Sequence, residues 1–374
     1  MKITVSKKEL LLSLKKVCSV TPGKTTLPIL QYALIETDKL GTGISSTDLD
    51  QWVTVRIHGK IEKAGKGILP VRKMDKALKA LPGSSVTITL EGNKVFMKCG
   101  KTTLEMETRP LEDFPQIPKV NSEFGLEIDP FLMTEILKKS LYAVSTDLTR
   151  PALTGVLFRL SKGRLTVVST DGHRLCKIET GAVKIHDTRK PQDIIIPSKS
   201  LKILQDHAEK DGTLWAYIGP DWMQFSTYDN EGKGVMQLRS RLIEGPFPKF
   251  ENVIPQHTDK TCTFSREDLL ASVKRLSVFS NKPTNQIKFE VQPKKISLSA
   301  ENEELGKASE DLECTANSTV TVGYNALYLQ QALSTLESEE LTLNLERPDT
   351  AALIQEELEE IKHMVIVMPL RLEG

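Results

Sequence analysis

The chain has 374 residues, 39% of them apolar and 26% charged, with a formal net charge of +1. This composition excludes a disordered chain and an overall polyelectrolyte, but it allows two or three domains and a local basic face. Five widely spaced cysteines form no C-x-x-C pair, which argues against a zinc site or a disulfide framework and favours a reducing cytosol. The charged N-terminus and the lack of a long apolar run predict no signal peptide and no membrane helix, hence a cytoplasmic protein.

Three capped amphipathic helices are predicted along the chain. The first follows Ser6, and Glu9 completes a capping box with it. The second begins at Pro130 after Asp129, since proline is tolerated at the first helical position. The third follows Ser265. In the first helix the apolar residues form one stripe at 100° per residue, which predicts a buried face and an exposed basic face.

Three further helices are predicted directly after short apolar strands that end in a breaker, at Pro70, Pro197 and Gly323. Between all these helices the chain alternates apolar and polar residues with a period of two, which is typical of half-buried strands. The clearest of these runs are VTITLEG, KVFMKCG, TLEMET, GVLFRL, QIKFEV, KISLSA, LTLNLE and MVIVMPL.

These landmarks repeat in the same order at spacings of about 125 residues. The corner Ser46-Thr47-Asp48 recurs as Ser169-Thr170-Asp171, and a related corner follows Ser299. We therefore predict three copies of one α+β domain, each with two helices and antiparallel sheets, at residues 1–124, 125–255 and 256–374. Proline and polar residues at the junctions favour linkers there.

Basic residues occur on five of the six predicted helices, although the chain is nearly neutral. Scattered lysines usually mark a solvated helix face. Their recurrence instead favours one shared positive surface, of the kind that contacts phosphate backbones without reading sequence. The residues concerned are Lys8, Lys15, Lys16, Arg72, Lys73, Lys76, Lys79, Lys138, Lys139, Lys199, Lys202, Lys274 and Arg275.

Taken together, five motifs resemble the bacterial sliding clamps, the beta subunits of DNA polymerase III. They are LPIL (27–30), STDGHRL (169–175), the FP-x-F…IP segment (247–255), GYNALYL (323–329) and MPLRL (368–372). The resemblance spans the whole chain. It implies three clamp domains per chain and a head-to-tail dimeric ring, with helices inside and sheets outside. The implied function is a processivity factor that encircles duplex DNA and is not an enzyme.

The resemblance assigns the TDGHRL corner to a groove that binds short peptides of partner proteins, between the second and third domains. Leucine, valine, isoleucine, methionine and proline side chains suit such an apolar slot. Catalysis by Asp171 and His173 is disfavoured because no nucleophile has an identifiable place beside them. The implied groove residues are Leu153, Thr170, Gly172, His173, Arg174, Leu175, Pro248, Val253, Ile366, Val367, Met368, Pro369, Leu370 and Arg371.

The resemblance also implies a DNA-contacting set and a dimer seam that joins the first domain of one chain to the third domain of the other. An apolar centre with opposite charges suits a seam that can reopen. Asn325 at a helix start can equally be a cap, and Tyr328 can equally be core. The DNA set is Lys24, Lys8, Lys15, Lys73, Lys76, Lys138, Arg150, Lys199, Lys202, Asn325 and Tyr328. The seam set is Lys73, Leu104, Met106, Val278, Phe279, Glu301, Glu303 and Glu304.

The partners implied by the resemblance are double-stranded DNA, a second copy of the chain, a clamp loader ATPase and the alpha subunit of the replicative polymerase. Translesion polymerases, ligase and mismatch-repair proteins are further expected partners, with no cofactor, no metal and no membrane. The chain departs from many relatives by the extension Glu373–Gly374, which we expect to tune peptide affinity, and by Asn252 in place of arginine. The last helix lacks lysine and arginine, so the positive surface should be uneven.

Two other classes of function stay open at this point. A DNA-binding regulator would use the basic helices directly, although no helix-turn-helix pattern is present. A hydrolase would use Asp171 or His173 and would lose turnover when either residue is replaced.

Overall fold

The computed structural model describes residues 1–38, 41–122, 124–186, 192–209 and 211–372. The extension Glu373–Gly374 therefore lies outside the described residues. All six predicted helices are confirmed, and none in the described part of the chain is long and apolar enough to span a membrane. They are α1 (Lys7–Cys18), α2 (Val71–Ala80), α3 (Pro130–Ser140), α4 (Ser198–His207), α5 (Arg266–Ser277) and α6 (Ala326–Leu333).

Every strand pair with a described register is antiparallel, and the alternating runs of the sequence form strands. In the first half of the chain they are β1 (Lys2–Ser6), β2 (Ala33–Asp38), β3 (Gly41–Thr47), β4 (Gln51–Ile57), β5 (Gly59–Lys63), β6 (Lys66–Leu69), β7 (Ser85–Glu91), β8 (Lys94–Cys99), β9 (Thr102–Glu107), β10 (Phe124–Ile128), β11 (Gly155–Ser161), β12 (Arg164–Thr170), β13 (Arg174–Thr180) and β14 (Val183–His186).

The remaining strands lie in the second half of the chain. They are β15 (Gln192–Pro197), β16 (Thr213–Ile218), β17 (Trp222–Tyr228), β18 (Gly234–Arg241), β19 (Lys260–Ser265), β20 (Gln286–Gln292), β21 (Lys295–Asn302), β22 (Gly306–Glu313), β23 (Thr315–Ala316), β24 (Val320–Asn325), β25 (Glu340–Leu345), β26 (Ala352–Glu357) and β27 (Lys362–Val367). Short 3₁₀ turns occur at Pro28–Gln31, Leu111–Asp113, Leu141–Ala143, Pro151–Thr154 and Phe250–Val253.

Four sheets are formed by the described strands, and two of them continue from one repeat of the sequence into the next. The smaller sheets have the strand orders β5-β1-β7-β8-β9 and β22-β21-β20-β24, and the larger ones β14-β10-β16-β17-β18-β4-β3-β2-β6 and β15-β11-β12-β13-β27-β26-β25-β19-β23. Strand β4 pairs with β18, and β13 pairs with β27. The central repeat therefore contributes strands to both nine-stranded sheets.

The chain folds as two compact units. The first contains Met1–Thr134 and Lys199–Leu242, with a short piece that begins at Lys184. The second contains Glu135–Val183 and the chain from Ile243 onward, with a short piece that ends at Ser198. The predicted three-domain boundaries at 124/125 and 255/256 stay a prediction.

Helix α1 illustrates how the amphipathic pattern produces a packed helix. Leu10, Leu14 and Val17 are fully buried, and α1 packs against β3 and β4. Each fully buried side chain of this kind contributes about 1.5–3 kcal/mol. Lys8 and Lys15 lie on the opposite, exposed face. The predicted apolar stripe is therefore confirmed.

The capping box predicted at Ser6 and Glu9 is wrong. Ser6 makes no side-chain cap hydrogen bond. The Glu9 carboxylate instead accepts a hydrogen bond from the His58 backbone N–H at 2.5 Å, so it is not available to the helix start. The predicted caps Asp129 and Ser265 do accept hydrogen bonds from the first turns of α3 and α5.

Candidate peptide-binding groove

The TDGHRL corner is a tight turn between β12 and β13 whose polar groups bond to one another. The Asp171 carboxylate accepts hydrogen bonds from the backbone N–H groups of His173 and Arg174 at 2.9 and 3.1 Å. The Thr170 hydroxyl donates to the Arg174 carbonyl at 2.6 Å. Gly172 has φ of +93°, a left-handed conformation that favours glycine. Asp171 therefore acts as the structural cap of the corner.

Arg174 holds the corner against the last helix of the chain. Its Nε lies 3.0 Å from the Asp171 carboxylate, and its guanidinium also donates to the Gln331 side-chain oxygen. The guanidinium carbon lies 4.5 Å from the centre of the Tyr328 ring and 5.2 Å from that of Tyr142, which is cation–π geometry. Arg174 is only 8% exposed, so its side chain packs within the fold and offers little surface to a partner.

An apolar floor lies beside this corner, where β13 meets β27. Leu175 is directly opposite Ile366, and both are buried in one cluster with Leu353 and Phe250. The partly buried Met368 packs against the same cluster. Leu175 and Ile366 face the same side of the sheet because successive side chains of a strand point to opposite faces.

Val367 follows the same alternation to the other face of β27. It is 2% exposed and is buried in a separate cluster with Phe264 and Val365. Its backbone, and not its side chain, therefore borders the groove. Leu153 is also buried, at 6% exposed.

The residues predicted for the rim of the groove are exposed or half-exposed. His173, Pro248 and Val253 are exposed, Arg371 of the C-terminal tail is exposed as well, and Pro369 and Leu370 are half-exposed. Val253 is 46% exposed although it is apolar, which is the property expected of a contact site for apolar ligand groups.

Arg159 fixes the connector that carries Pro248 and Val253, a contact that no sequence pattern predicted. Its guanidinium contacts Asp193 at 2.7 and 2.8 Å and Glu251 at 2.5 Å, and it stacks over the Phe250 ring at 5.2 Å. The hydrogen bond with Asp193, followed by that with Glu251, raises the pKa of Arg159 above its usual range. The contact was missed because these residues are 34 and 92 positions apart in sequence.

Tyr328 and Asn325, which the sequence suggested as DNA contacts, have structural partners in the second unit. The Tyr328 ring stacks on His173 at 6.0 Å between ring centres, so it lies with the groove residues. The Asn325 side chain accepts from the backbone N–H groups of Leu327 and Tyr328 and donates to the Thr284 carbonyl. Asn325 is therefore the N-cap of α6, the alternative that the sequence had left open.

Comparison with known proteins now identifies the family. Models of the N-terminal, central and C-terminal domains of the DNA polymerase III beta subunit match residues 1–118, 127–249 and 251–371. The chain belongs to the DNA polymerase III beta subunit family. The members of this family are bacterial sliding clamps, which are non-catalytic processivity factors of DNA replication, so the chain is a clamp and not an enzyme.

Individual clamps are similar to this chain over its full length. The beta sliding clamp of Vibrio cholerae is 28% identical over 381 residues, and that of Escherichia coli is 26% identical over 377 residues, with 100% of each chain covered. The solved structure of a Pseudomonas aeruginosa clamp bound to griselimycin has a TM-score of 0.92 at 26% identity, again with 100% of both chains covered. A Bacillus subtilis clamp, 23% identical, has the same fold with a TM-score of 0.91.

In the first unit, most basic residues that the family resemblance assigned to DNA are exposed, and six have no ion pair in the described part of the chain. These six are Lys8, Lys15, Lys24, Lys73, Lys76 and Lys202. Lys199 is exposed too but contacts the Asp48 carboxylate. A lysine without a carboxylate partner keeps its full charge for a phosphate.

In the second unit, two basic residues assigned to DNA are already paired. Lys138 lies 2.5 Å from Glu135, and Arg150 lies 2.8 Å from Asp147. Hydrogen bonds from Thr149 and Arg150 lower the pKa of Asp147 to about 2, so it remains charged beside Arg150. These two residues are weaker candidates for DNA contact than the unpaired lysines.

The residues assigned to the seam lie near two strands that end their sheets. In the first unit, Leu104 and Met106 are half-exposed on β9, the last strand of its sheet. In the second unit, Val278 is 65% exposed after α5, and Glu301 bonds to Lys307 across β21 and β22. Glu303 and Glu304 follow in the β21–β22 turn, and Phe279 packs partly on the core.

Strand β22 is the seam candidate that sequence reasoning missed. It pairs with β21 on one side and is the outermost strand of its four-stranded sheet. Its sequence GKASEDLE has few apolar residues, so the alternation that identified the other strands is weak here. An unpaired edge presents a row of N–H and C=O groups that another strand can bond.

Proposed function

We propose that this clamp encircles duplex DNA as a head-to-tail dimer and tethers its partners through the groove at β13 and β27. The match of all three domain models along the chain is the observation that carries the proposal. In the proposed ring the helices face the DNA and the sheets face outward. The domains we propose are residues 1–124, 125–255 and 256–374.

Contact with DNA in this proposal is weak, charge-based and blind to sequence. The unpaired lysines of the first unit supply it, because a ring that is held by topology needs no tight base contacts and would be immobilised by them. Lys138, Lys199 and Arg150 contribute less, since each has a carboxylate partner.

The groove in this proposal takes short apolar peptides from client proteins. Leu175 and Ile366 form its floor, while Met368, His173 and Val253 border it. Such a slot buries a few anchor side chains, and main-chain groups at its rim orient the peptide. The proposed clients are the alpha subunit of the replicative polymerase, translesion polymerases, ligase and mismatch-repair proteins.

The seam in this proposal pairs the β9 edge of one chain with the β22 edge of its partner. A head-to-tail arrangement of this kind closes into a ring when the rotation permits. Leu104 and Met106 would then meet Val278 and Phe279, with Lys73 beside the acidic Glu301, Glu303 and Glu304. A clamp loader ATPase opens this seam, and the clamp acts in the cytoplasm without a cofactor.

Retention on two shapes of DNA tests the function. The clamp is loaded onto nicked circular DNA with its clamp loader and ATP, passed over a sizing column in moderate salt, and tested again after the circle is cut once. Protein that travels with the circle and leaves the linear form is topologically linked. Equal retention on both forms would contradict the proposal and favour a regulator that holds DNA by direct contacts.

A further inference from the structure

The C-terminal tail, defined here as Met368–Leu372, is fastened to the fold at two places in the second unit. The Met368 N–H donates to the His173 carbonyl at 2.8 Å, and the Leu370 N–H donates to the Gly323 carbonyl at 2.8 Å. Pro369 between them has no N–H to offer. The tail therefore bonds to the TDGHRL corner through Met368 and to strand β24 through Leu370, with one main-chain hydrogen bond at each place.

Gly323 is the point where the tail approaches β24 most closely. A Cβ at this position would lie 2.8 Å from the Leu372 Cδ2 and 3.1 Å from the Leu370 carbonyl oxygen. The Gly323 φ is not in the left-handed region, so a residue with a side chain could adopt the same backbone conformation without strain. A side chain at position 323 would crowd the end of the Leu372 side chain and the Leu370 carbonyl oxygen, so the tail would have to shift away from β24.

The position of Gly323 on strand β24 shows how the tail is held against the sheet. Gly323 lies opposite Lys288 of β20 on one side and forms an antiparallel bridge with Leu370 on the other. The tail therefore adds one bridge to the outer edge of the four-stranded sheet. An edge strand offers N–H and C=O groups for such pairing.

We propose that Gly323 is a positioning residue for the groove: because it has no side chain, it leaves room for the tail to form the Leu370 bridge to β24, which holds Leu370 and Met368 in place at the groove rim. This inference rests on the proposed function, since it names what sets peptide affinity at that same groove. Gly323 itself need not touch the peptide. Its role is to keep one wall of the slot ordered before the peptide arrives, so that binding does not have to order it.

The test compares Gly323→Ala with a matched control, Gly181→Ala. Gly181 lies in the same unit just after β13, has no atom within 4 Å of an added Cβ, and lacks a left-handed φ. Affinity is measured on the full chain by fluorescence anisotropy, with a labelled peptide from the clamp-binding segment of the polymerase alpha subunit. We expect Gly323→Ala to raise Kd about tenfold and Gly181→Ala to leave Kd unchanged.

A size exchange separates the specific contact from general damage. Leu372→Ala removes the side chain that an alanine at position 323 would meet. The double variant Gly323→Ala/Leu372→Ala should therefore bind the peptide more tightly than Gly323→Ala alone. A double variant as weak as Gly323→Ala, or a Gly323→Ala variant as tight as the Gly181→Ala control, would overturn the inference.

Hydrogen exchange of the tail tests the same inference without any ligand. In the unaltered chain the Leu370 amide should be protected by its bond to the Gly323 carbonyl. In Gly323→Ala it should exchange faster, while amides of the buried strand β13 remain protected and so report an intact fold. If the unaltered chain binds no peptide, the proposed function fails; if Leu370 exchange is the same in both proteins, the positioning role fails.

Discussion

At the scale of single residues, a buried polar network in the second unit connects the end of α3 with β26 and β27. The Glu356 carboxylate accepts from the His363 ring at 3.1 Å and from the backbone N–H groups of Glu337 and Ser338 at 2.9 and 3.1 Å. The Lys139 ammonium donates to the Thr335 carbonyl at 2.6 Å and lies 3.7 Å from Glu356. Lys139 is 4% exposed and Glu356 5%, and the Lys139 ammonium also lies 2.7 Å from the more exposed Glu337 carboxylate, so two acidic side chains share this one buried cation.

Replacing Glu356 by alanine should destabilise the second unit by about 2–3 kcal/mol, because the His363 ring and two backbone N–H groups would lose their acceptor, while Lys139 keeps Glu337 at 2.7 Å. Urea unfolding followed by circular dichroism measures this change. Glu357→Ala is the control, since Glu357 is exposed and, among the residues that the structure describes, pairs only with Lys362 at the surface; it should change stability by less than about 1 kcal/mol. If both substitutions lowered the free energy of unfolding equally, the buried network would not be a special source of stability.

Stability should also fall in acid because of this network. Burial would raise the pKa of Glu356, but hydrogen bonds from His363 and the backbone of Glu337 and Ser338, with the Lys139 charge, lower it to about 2. Burial lowers the pKa of His363 as well, against the opposing pull of Glu356. Both folded-state pKa values lie below their ordinary values of 4.5 and 6.5, so the unfolded chain takes up protons first.

The contribution of Glu356 is therefore complete above pH 4.5 and is lost as the pH falls towards about 2, while that of His363 is lost below pH 6.5. Melting temperatures measured from pH 7 to pH 3 should fall, and Glu356→Gln should fall less steeply below pH 4.5. Parallel curves for the two proteins would show that other carboxylates control acid unfolding.

The sequence identified the residues of the TDGHRL corner but not the partners that fix them. Asp171 and His173 were singled out correctly, yet the sequence did not reveal that Asp171 caps its own turn or that Tyr328 stacks on His173. That stacking joins residues far apart in the chain, and no local pattern reports such a contact. The Ser6 cap failed for the same reason, since Glu9 bonds to the distant His58.

At the scale of elements, the groove depends on one strand pair and the tail that follows it. Strand β27 places Ile366 on the floor, and the chain leaves the sheet at Val367 so that Met368 and Leu370 reach the rim. The connector at Phe250–Val253 forms the other border, held by Arg159. The proposed slot would thus be bordered by two irregular segments, the tail and this connector, both supported by a regular sheet.

Met368→Ala combined with Leu370→Ala should weaken binding of the polymerase peptide about 10- to 100-fold, because both apolar side chains border the slot and contribute their contact area to the ligand. Fluorescence anisotropy measures the affinity. Ile61→Ala is the control, since Ile61 is 40% exposed on β5 of the first unit. Unchanged affinity of the double variant would remove these residues from the groove.

The elements themselves were largely predictable because their patterns are local. All six helices and the strongly alternating strands were confirmed, since each has a period that the sequence displays. Strand β22 was missed because its polar edge lacks that alternation. The pairings β4–β18 and β13–β27 were also not predicted, because a periodic pattern specifies which face of a strand is buried but not its neighbour.

At the scale of the whole molecule, the same strand junction is built twice with different chemistry. In the β13–β27 pair Leu175 lies opposite Ile366, whereas in the β4–β18 pair Trp52 lies opposite Arg239. The aromatic Trp52 is covered by Phe114 at 6.0 Å between ring centres, in an edge-to-face arrangement. The first junction therefore carries an aliphatic pair at this position, whereas at the second Trp52 belongs to an apolar cluster of its own with Ile68 and Phe114.

Charged substitutions at the proposed seam should yield monomers. Val278→Asp with Phe279→Asp would bring charges into an apolar contact between chains, and light scattering after size-exclusion chromatography measures the mass. Val278→Asp alone keeps the test valid if the double variant folds poorly, because Val278 is 65% exposed in the single chain. Ile61→Asp, on a different exposed strand, should remain dimeric. A dimer that survives both Val278 variants would place the seam elsewhere.

The sheets that cross the repeat boundaries have a mechanical consequence for the proposed ring. At β4–β18 and at β13–β27 a hydrogen-bonded ladder and the covalent chain act in parallel, so a load on either junction is shared by both. At the proposed seam the two strands belong to different chains, so no peptide segment links them. A force applied anywhere around the ring would therefore open it at the seam first, while the peptide groove, lying at one of the reinforced junctions, would keep its shape as the ring opens.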